Sequence, residues 1–249
     1  MLVGAISDRG KMRETNEDAY SVMQKEKVYV IADGVGGGNT GEIASRVAVE
    51  QIEKYIRQNP VWNAQEKYQV IRYLQSCVES ANTEIVNIAL NHKENSGMAT
   101  TLVVVHTIGN RAFICNAGDS RVYLRRGRLL EQLTEDHTYV NSLLKAGLIT
   151  QEQADIDSRR NVITKALGAD ESIQPDYYQL KLEIGDILIL CTDGLYNELS
   201  MDEMIKSIED GKTMQDVCSK LVEKANNNGG NDNITVICLK VTEEDVNEH

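Results

Sequence analysis

Residues 28–37 read VYVIADGVGG, from Val28 to Gly37. Val28 to Ala32 form an unbroken apolar run rich in β-branched residues, the signature of a short buried strand. Asp33 closes the run, and glycine dominates the residues after it. A strand aimed at a hydrophobic core therefore ends in a carboxylate, beside backbone that can bend anywhere.

The same layout recurs along the chain. LILCTDGL (Leu188–Leu195) sets Asp193-Gly194 after another apolar run, and FICNAGDSRVY (Phe113–Tyr123) sets Gly118-Asp119 at a strand-to-strand turn. GGNDNITVICLKV (Gly229–Val241) puts Asp232 just before the last strand, and RETNEDAY (Arg13–Tyr20) puts Glu17-Asp18 before an early one. A single such Asp is most often a turn residue or a helix cap. Several with one layout point to a cluster, and clustered carboxylates repel unless cations or protons neutralise them. Hard oxygen donors suit Mg²⁺, Mn²⁺ or Ca²⁺. The glycines let backbone come close, so that a carbonyl beside Asp33 could join the carboxylates as a ligand.

Other uses of the glycines fail on the residues. GVGGGN (Gly34–Asn39) has Asn where a dinucleotide fingerprint needs its third glycine, and no G-K-[ST] comes after it as a P-loop requires. No serine sits in a G-x-S-x-G elbow. His92, His106 and His249 have no motif around them; His137, in TEDHT, fits a helix-capping region as well as a catalytic role. With no evident covalent nucleophile, water activated by metal is the natural attacking group.

Bulk properties agree with a globular protein. The chain has 249 residues, 41% hydrophobic and 26% charged, enough to bury a substantial core. The net charge of −12 disfavours a nucleic-acid partner. The compact basic run Arg125-Arg126-Gly127-Arg128, flanked by apolar pairs, reads as a solvated hairpin turn. No apolar run reaches membrane-spanning length, and the first residues lack a signal-peptide layout, so a cytoplasmic protein is expected; a monomer is expected as well. The five cysteines lack zinc-ligand or redox spacing and read as core thiols.

The periodicity predicts strands at about 2–7, 19–24, 27–32, 101–107, 111–116, 121–125, 129–133, 177–182, 187–191 and 233–241. It predicts helices over 41–56, 68–90 and 213–226, with short helical patches in the polar stretch from 135 to 160. Strands in clusters with paired helices between them indicate an α+β fold. One domain spans 1–242, and the acidic tail 243–249 is expected to fray.

Eight ordered blocks then carry a family resemblance: SDRGKMRETNEDAY, VIADGVGGGNTGEIAS, SGMATTLVVV, CNAGDSRVYLRRG, QLTEDHT, RNVITKALG, ILILCTDGLYNEL and GGNDNITVICLKV. In these the chain resembles the bacterial metal-dependent protein phosphatases, the protein phosphatase 2C-like Ser/Thr phosphatases. The resemblance implies a four-layer sandwich of two antiparallel β-sheets flanked by α-helices, with two tightly bound Mn²⁺ or Mg²⁺ ions at one end and a weaker third. It implies that Asp33 bridges two ions, that the Gly34 carbonyl binds the second, and that Asp193 and Asp232 hold the first. Glu17 and Asp18 would act mainly through water on the metals, and Asp119 with Asp193 would hold the third ion. Arg13 would grip the substrate phosphate, where its residues alone suggest a surface salt bridge with Glu14 or Glu17. A flap is implied at about 141–161. The substrates implied are phosphoserine and phosphothreonine proteins, among them a Ser/Thr kinase that the enzyme opposes. A catalytically silent metal-binding regulatory module and a small-molecule phosphoesterase stand as alternatives. The chain departs from the pattern at Gly38, where many bacterial members have histidine, and at Ala99, where they have glycine. Val35 stands where animal relatives carry a histidine thought to protonate the leaving group.

Overall fold

The computed structural model describes residues 1–36, 40–60 and 67–247. Gly38 and His249 lie outside the described residues, as do most of the glycine run and the last residues of the tail.

The strands are β1 (Leu2–Asp8), β2 (Asp18–Met23), β3 (Val28–Val35), β4 (Ala99–Thr100), β5 (Leu102–Ile108), β6 (Arg111–Ala117), β7 (Arg121–Arg126), β8 (Leu129–Gln132), β9 (Asp176–Lys181), β10 (Ile187–Cys191) and β11 (Ile234–Lys240). The helices are α1 (Thr40–Gln58), α2 (Lys67–Asn91), α3 (Tyr139–Lys145), α4 (Gln151–Ile156), α5 (Asp193–Tyr196), α6 (Met201–Asp210), α7 (Met214–Asn228) and α8 (Glu243–Asn247). One sheet runs β1-β11-β10-β7-β8; the other runs β2-β3-β5-β6-β9, with β4 set against the end of β3. The pairings are antiparallel.

Alternation along β3 explains its continuous apolar run. Tyr29 and Ile31 face the other sheet and pack with Val103, Val105, Leu188, Leu190 and Ile237. Val28, Val30 and Ala32 face the opposite way, onto α1 and α2 through Ala48, Ile52, Leu74 and Ile85. On the far side, Ile189, Cys191, Val236 and Cys238 pack against Met204, Val217 and Leu221 of α6 and α7. The result is helix, sheet, sheet, helix, the expected four-layer α+β sandwich.

The same parity sets the site. Side chains alternate with period two, so Asp33 falls in line with Tyr29 and Ile31 on the face between the sheets. On β2, Val22 packs into the same inter-sheet core, which places Asp18 there too. β2 and β3 pair with Asp18 directly opposite Asp33.

Elsewhere the structure extends or corrects the expectation. The buried line of α1 runs through Ala44, Ala48, Ile52 and Ile56, while Ile43 and Val47 are only partly buried. A helix not foreseen, α6, starts with a capping box at Ser200 and Glu203. The tail does not fray at its start: residues 243–247 are helical, and Asp245 accepts from the Met1 ammonium at 2.6 Å and from the Thr242 N–H and hydroxyl at 2.8 and 2.6 Å. The basic run is a hairpin turn in which Arg125 pairs with Glu209 and Arg126 with Asp186 and Glu183, while Arg128 is exposed. All five cysteines are free and buried. No described helix is long and apolar enough to cross a membrane.

Candidate metal centre

Asp18 and Asp33 meet on adjacent strands at one end of the inter-sheet layer. Thr192 and Thr235, at the ends of β10 and β11, reach across from the other sheet and donate to Asp18 Oδ2 at 2.9 and 2.7 Å. Asp18 Oδ1 is buried and has no hydrogen-bond partner among the described residues. Such an oxygen is costly to leave unmatched. The Asp33 main chain is fixed on both sides: its N–H donates to Thr101 Oγ1 at 3.0 Å, and its carbonyl accepts from Thr100 Oγ1 at 2.8 Å.

Two glycines allow the approach of backbone that brings the other carboxylates in. A Cβ on Gly34 would stand 2.2 Å from the Gly41 carbonyl oxygen and 2.7 Å from that of Glu17, so only glycine lets β3 lie against the start of α1. A Cβ on Gly194 would stand 2.1 Å from the Asn233 carbonyl oxygen and 3.3 Å from Asp232 Cβ, so glycine brings the Asp193 turn onto the Asp232 loop. Glu17 lies over Gly41, next to Gly34. Asp119 is buried at the β6–β7 turn.

Electrostatics bind these groups into one cluster. Burial and then the charges of Asp18, Asp193, Asp119 and Asp232 push the Asp33 carboxyl well above the usual range. Burial, followed by Asp119, Asp232 and Asp18, raises Asp193 to about 8. Burial raises Asp18 to about 7 against its two threonine donors. Asp119 rises to about 6, first through burial and then through Asp136. Burial also raises Glu17, with Arg13 opposing it. These carboxylates are short of positive charge, and hard divalent cations supply it.

Among the described residues no three His, Cys, Asp or Glu side chains already close into a cation cage. Asp18 is turned towards two threonines, and Asp232 is held by Arg13, whose Nη2 donates to Oδ2 at 2.6 Å. Arg13 thus pairs with neither Glu14 nor Glu17. The donor set is all oxygen, mutually repelling, and includes one orphaned buried atom; it fits a hard cation.

Asn233 is a residue the sequence reading missed. Its Nδ2 donates to the Arg9 and Thr15 carbonyls at 2.8 and 2.9 Å, and its Oδ1 accepts from the Glu17 N–H at 2.8 Å. One buried amide therefore staples the loop carrying Arg13 and Glu17 to the loop carrying Asp232. Thr192 and Thr235 were missed as well. The available signal was a hydroxyl at the inter-sheet position of an otherwise apolar strand, next to each acidic turn.

His137 is placed structurally. Its Nδ1 accepts from the Gly118 N–H at 3.0 Å, and its Nε2 lies 3.2 Å from Asp176 Oδ2, outside hydrogen-bond alignment. Burial holds it below the ordinary histidine value. The neighbouring Thr138 caps α3. His106 is a packing residue whose Nδ1 meets the Lys27 carbonyl. Val35 faces Ala99 across the β3–β4 pair, so two departures from the family pattern are neighbours.

Comparison with known proteins gives a consistent picture. The family described as Protein phosphatase 2C matches residues 10–234. The serine/threonine phosphatase stp of Listeria innocua is 34% identical over 237 residues, 94% of this chain and 93% of that protein. Protein phosphatase PhpP of Streptococcus pneumoniae is 36% identical over 248 residues, 98% and 99% of the two chains. Among solved structures, the catalytic domain of the serine/threonine phosphatase PstP in complex with two manganese ions superposes with a TM-score of 0.85 at 30% identity, covering 97% of this chain and 98% of that one.

Proposed function

Because the chain belongs to the protein phosphatase 2C family, we propose that it is a metal-dependent protein Ser/Thr phosphatase that hydrolyses phosphoserine and phosphothreonine. The observation that carries this reading is the register of β2 and β3. It sets Asp18 opposite Asp33 with a buried carboxylate oxygen unmatched, where a cation is the fitting partner.

Asp33, Asp193 and Asp232, with the Gly34 carbonyl, are the groups to hold a pair of Mn²⁺ or Mg²⁺ ions. Glu17 and Asp18 would line the pair, and Asp119 with Asp193 would hold a weaker third ion. Bound divalent cations supply acidity to water and neutralise charge on the phosphoryl group. The rest falls to the chain. Arg13 is half exposed and so placed to exchange the Asp232 carboxylate for a phosphate dianion, which its forked guanidinium suits. Thr192 and Thr235 orient Asp18, and Asn233 holds the Arg13 loop over the cluster. Residues 141–161, which include most of α3 and all of α4, would form the flap that the family resemblance implies. The natural counterparts are a Ser/Thr kinase and that kinase's substrates in cytoplasmic signalling, with the enzyme acting as a monomer.

The test is hydrolysis of phosphoserine and phosphothreonine peptides with Mn²⁺, with Mg²⁺ and with chelator. Turnover that needs the metal supports the reading. Metal binding without turnover would make the protein a silent regulatory module, and turnover confined to small phosphate esters would make it a small-molecule phosphoesterase.

A further inference from the structure

Asp119 lies on the turn between β6 and β7, and the main chain of that turn is gripped from two directions. On one side, Gly118 N–H donates to His137 Nδ1 and the His137 N–H donates back to the Gly118 carbonyl, both at 3.0 Å. On the other side, the Tyr196 hydroxyl donates to the Asp119 carbonyl at 2.9 Å. Tyr196 ends α5, the single helical turn that begins at Asp193. The phenol therefore links the backbone of one acidic turn to the helix carrying another acid.

The ring is not free to swing. The Arg121 guanidinium carbon sits 3.5 Å from the Tyr196 ring centroid. Arg121 is itself fixed, because Nε and Nη2 donate to both Asp136 oxygens at 2.6–3.1 Å. Asp136 adjoins His137, so the contacts close a circuit: Asp119 turn, Tyr196, Arg121, Asp136, His137, Asp119 turn. The circuit fixes the Asp119 turn against α5, whose first residue is Asp193. Among neighbouring charges, that of Asp119 acts most strongly on Asp193.

We propose that the Tyr196 hydroxyl is a positioning group for the Asp119–Asp193 pair: by donating to the Asp119 carbonyl it ties the two turns together and sets the separation across which a weakly held divalent cation is shared. This rests on the metal-dependent reading above. It adds to that reading a residue that touches neither cation nor substrate.

Tyr196→Phe is the test, since it removes one oxygen and leaves the ring and its arginine. Mn²⁺ binding is read by paramagnetic resonance of the free ion, on folded protein at matched melting temperature. The expected result is a weak class of sites loosened about fivefold, the worth of one ordinary hydrogen bond, with the tight class unchanged. The Mn²⁺ concentration for half-maximal phosphopeptide turnover rises by the same factor, while the KM for peptide at saturating Mn²⁺ stays put. In an Asp119→Ala background, Tyr196→Phe does nothing further to either quantity. Unchanged weak sites, equal loosening of both classes, an additive effect with Asp119→Ala, or a wild-type protein with no weak class would each overturn the proposal. A wild-type protein that binds Mn²⁺ in both classes yet leaves phosphopeptides intact would overturn the phosphatase reading instead, and the titration alone would then decide the role of Tyr196.

Discussion

Arg13 Nη2 and Asp232 Oδ2 lie 2.6 Å apart, though 219 positions separate the two residues in sequence. The pair joins the group suited to a substrate phosphate to a group suited to a cation. On the proposed reading a metal ion and the guanidinium would compete for one carboxylate, and a bound cation would leave Arg13 free to meet the phosphate.

Arg13→Ala removes that competitor along with the phosphate contact. The expected outcome is a rise of about ten- to a hundredfold in KM for a phosphothreonine peptide, the range for hydrogen bonds to charged groups. Mn²⁺ binding should be as tight as in the wild type or tighter. Steady-state kinetics beside a Mn²⁺ titration check both halves. Weakened tight-site binding would show that Arg13 supports the metals rather than competing with them.

The pH dependence of the metal-free protein is set by the raised carboxyls. Asp119, Asp18 and Asp193 titrate at about 6, 7 and 8 in the folded chain, against about 3.9 when unfolded. Between these limits the folded state holds more protons than the unfolded one, so stability falls as pH rises. Thermal melts in chelator should therefore drop from pH 5.5 to pH 8, by about 2–4 °C for each kcal/mol lost. Saturating Mn²⁺ should flatten the slope. A metal-free melting temperature that climbs through this window would contradict the electrostatics of the cluster.

His137 has a carboxylate neighbour and a motif, yet its Nδ1 is committed to the Gly118 N–H and its Nε2 faces Asp176. It is not arranged to protonate a leaving alkoxide. His137→Ala should then slow phosphoserine peptides and p-nitrophenyl phosphate by similar factors, because the aryl ester needs little protonation. Selective loss of the peptide reaction, with peptide binding unchanged, would make His137 the acid.

Asn233→Ala breaks the staple between the Arg13 and Asp232 loops. It removes three side-chain bonds from a buried position, at a cost of about 2–4 kcal/mol. The melting temperature should fall by roughly 5–15 °C, on the order of the 2–4 °C per kcal/mol expected at this size. A loss under about 1 °C would mean that other contacts hold the loops.

The acids themselves were legible because each sits where a local pattern changes. The apolar run of β3 stops at Asp33, and the runs of β10 and β11 stop or start beside Asp193 and Asp232. What that pattern omits is which strands face one another. The opposition of Asp18 and Asp33 depends on the pairing of β2 and β3, and the threonine donors to Asp18 come from the other sheet. Asn233 reads as an ordinary turn residue until the N-terminal loop is laid against it. The helical tail was likewise out of reach, since Asp245 is held by Met1 at the other end of the chain. Helix α6 was different: its Ser200–Glu203 capping box and its Met204, Ile205 and Ile208 stripe were there to be read.

The central claim is that the carboxylates at the end of β3 exist to hold catalytic cations. It is tested most directly by Asp33→Ala, shown folded by circular dichroism, in a phosphothreonine-peptide assay run with Mn²⁺ and with chelator beside a Mn²⁺ binding isotherm. The account predicts that the variant melts no lower than the wild type in chelator, because a repelled buried charge is gone. It also predicts lost tight Mn²⁺ binding and turnover at the chelator baseline. Near-normal Mn²⁺-dependent turnover by the folded variant would contradict it.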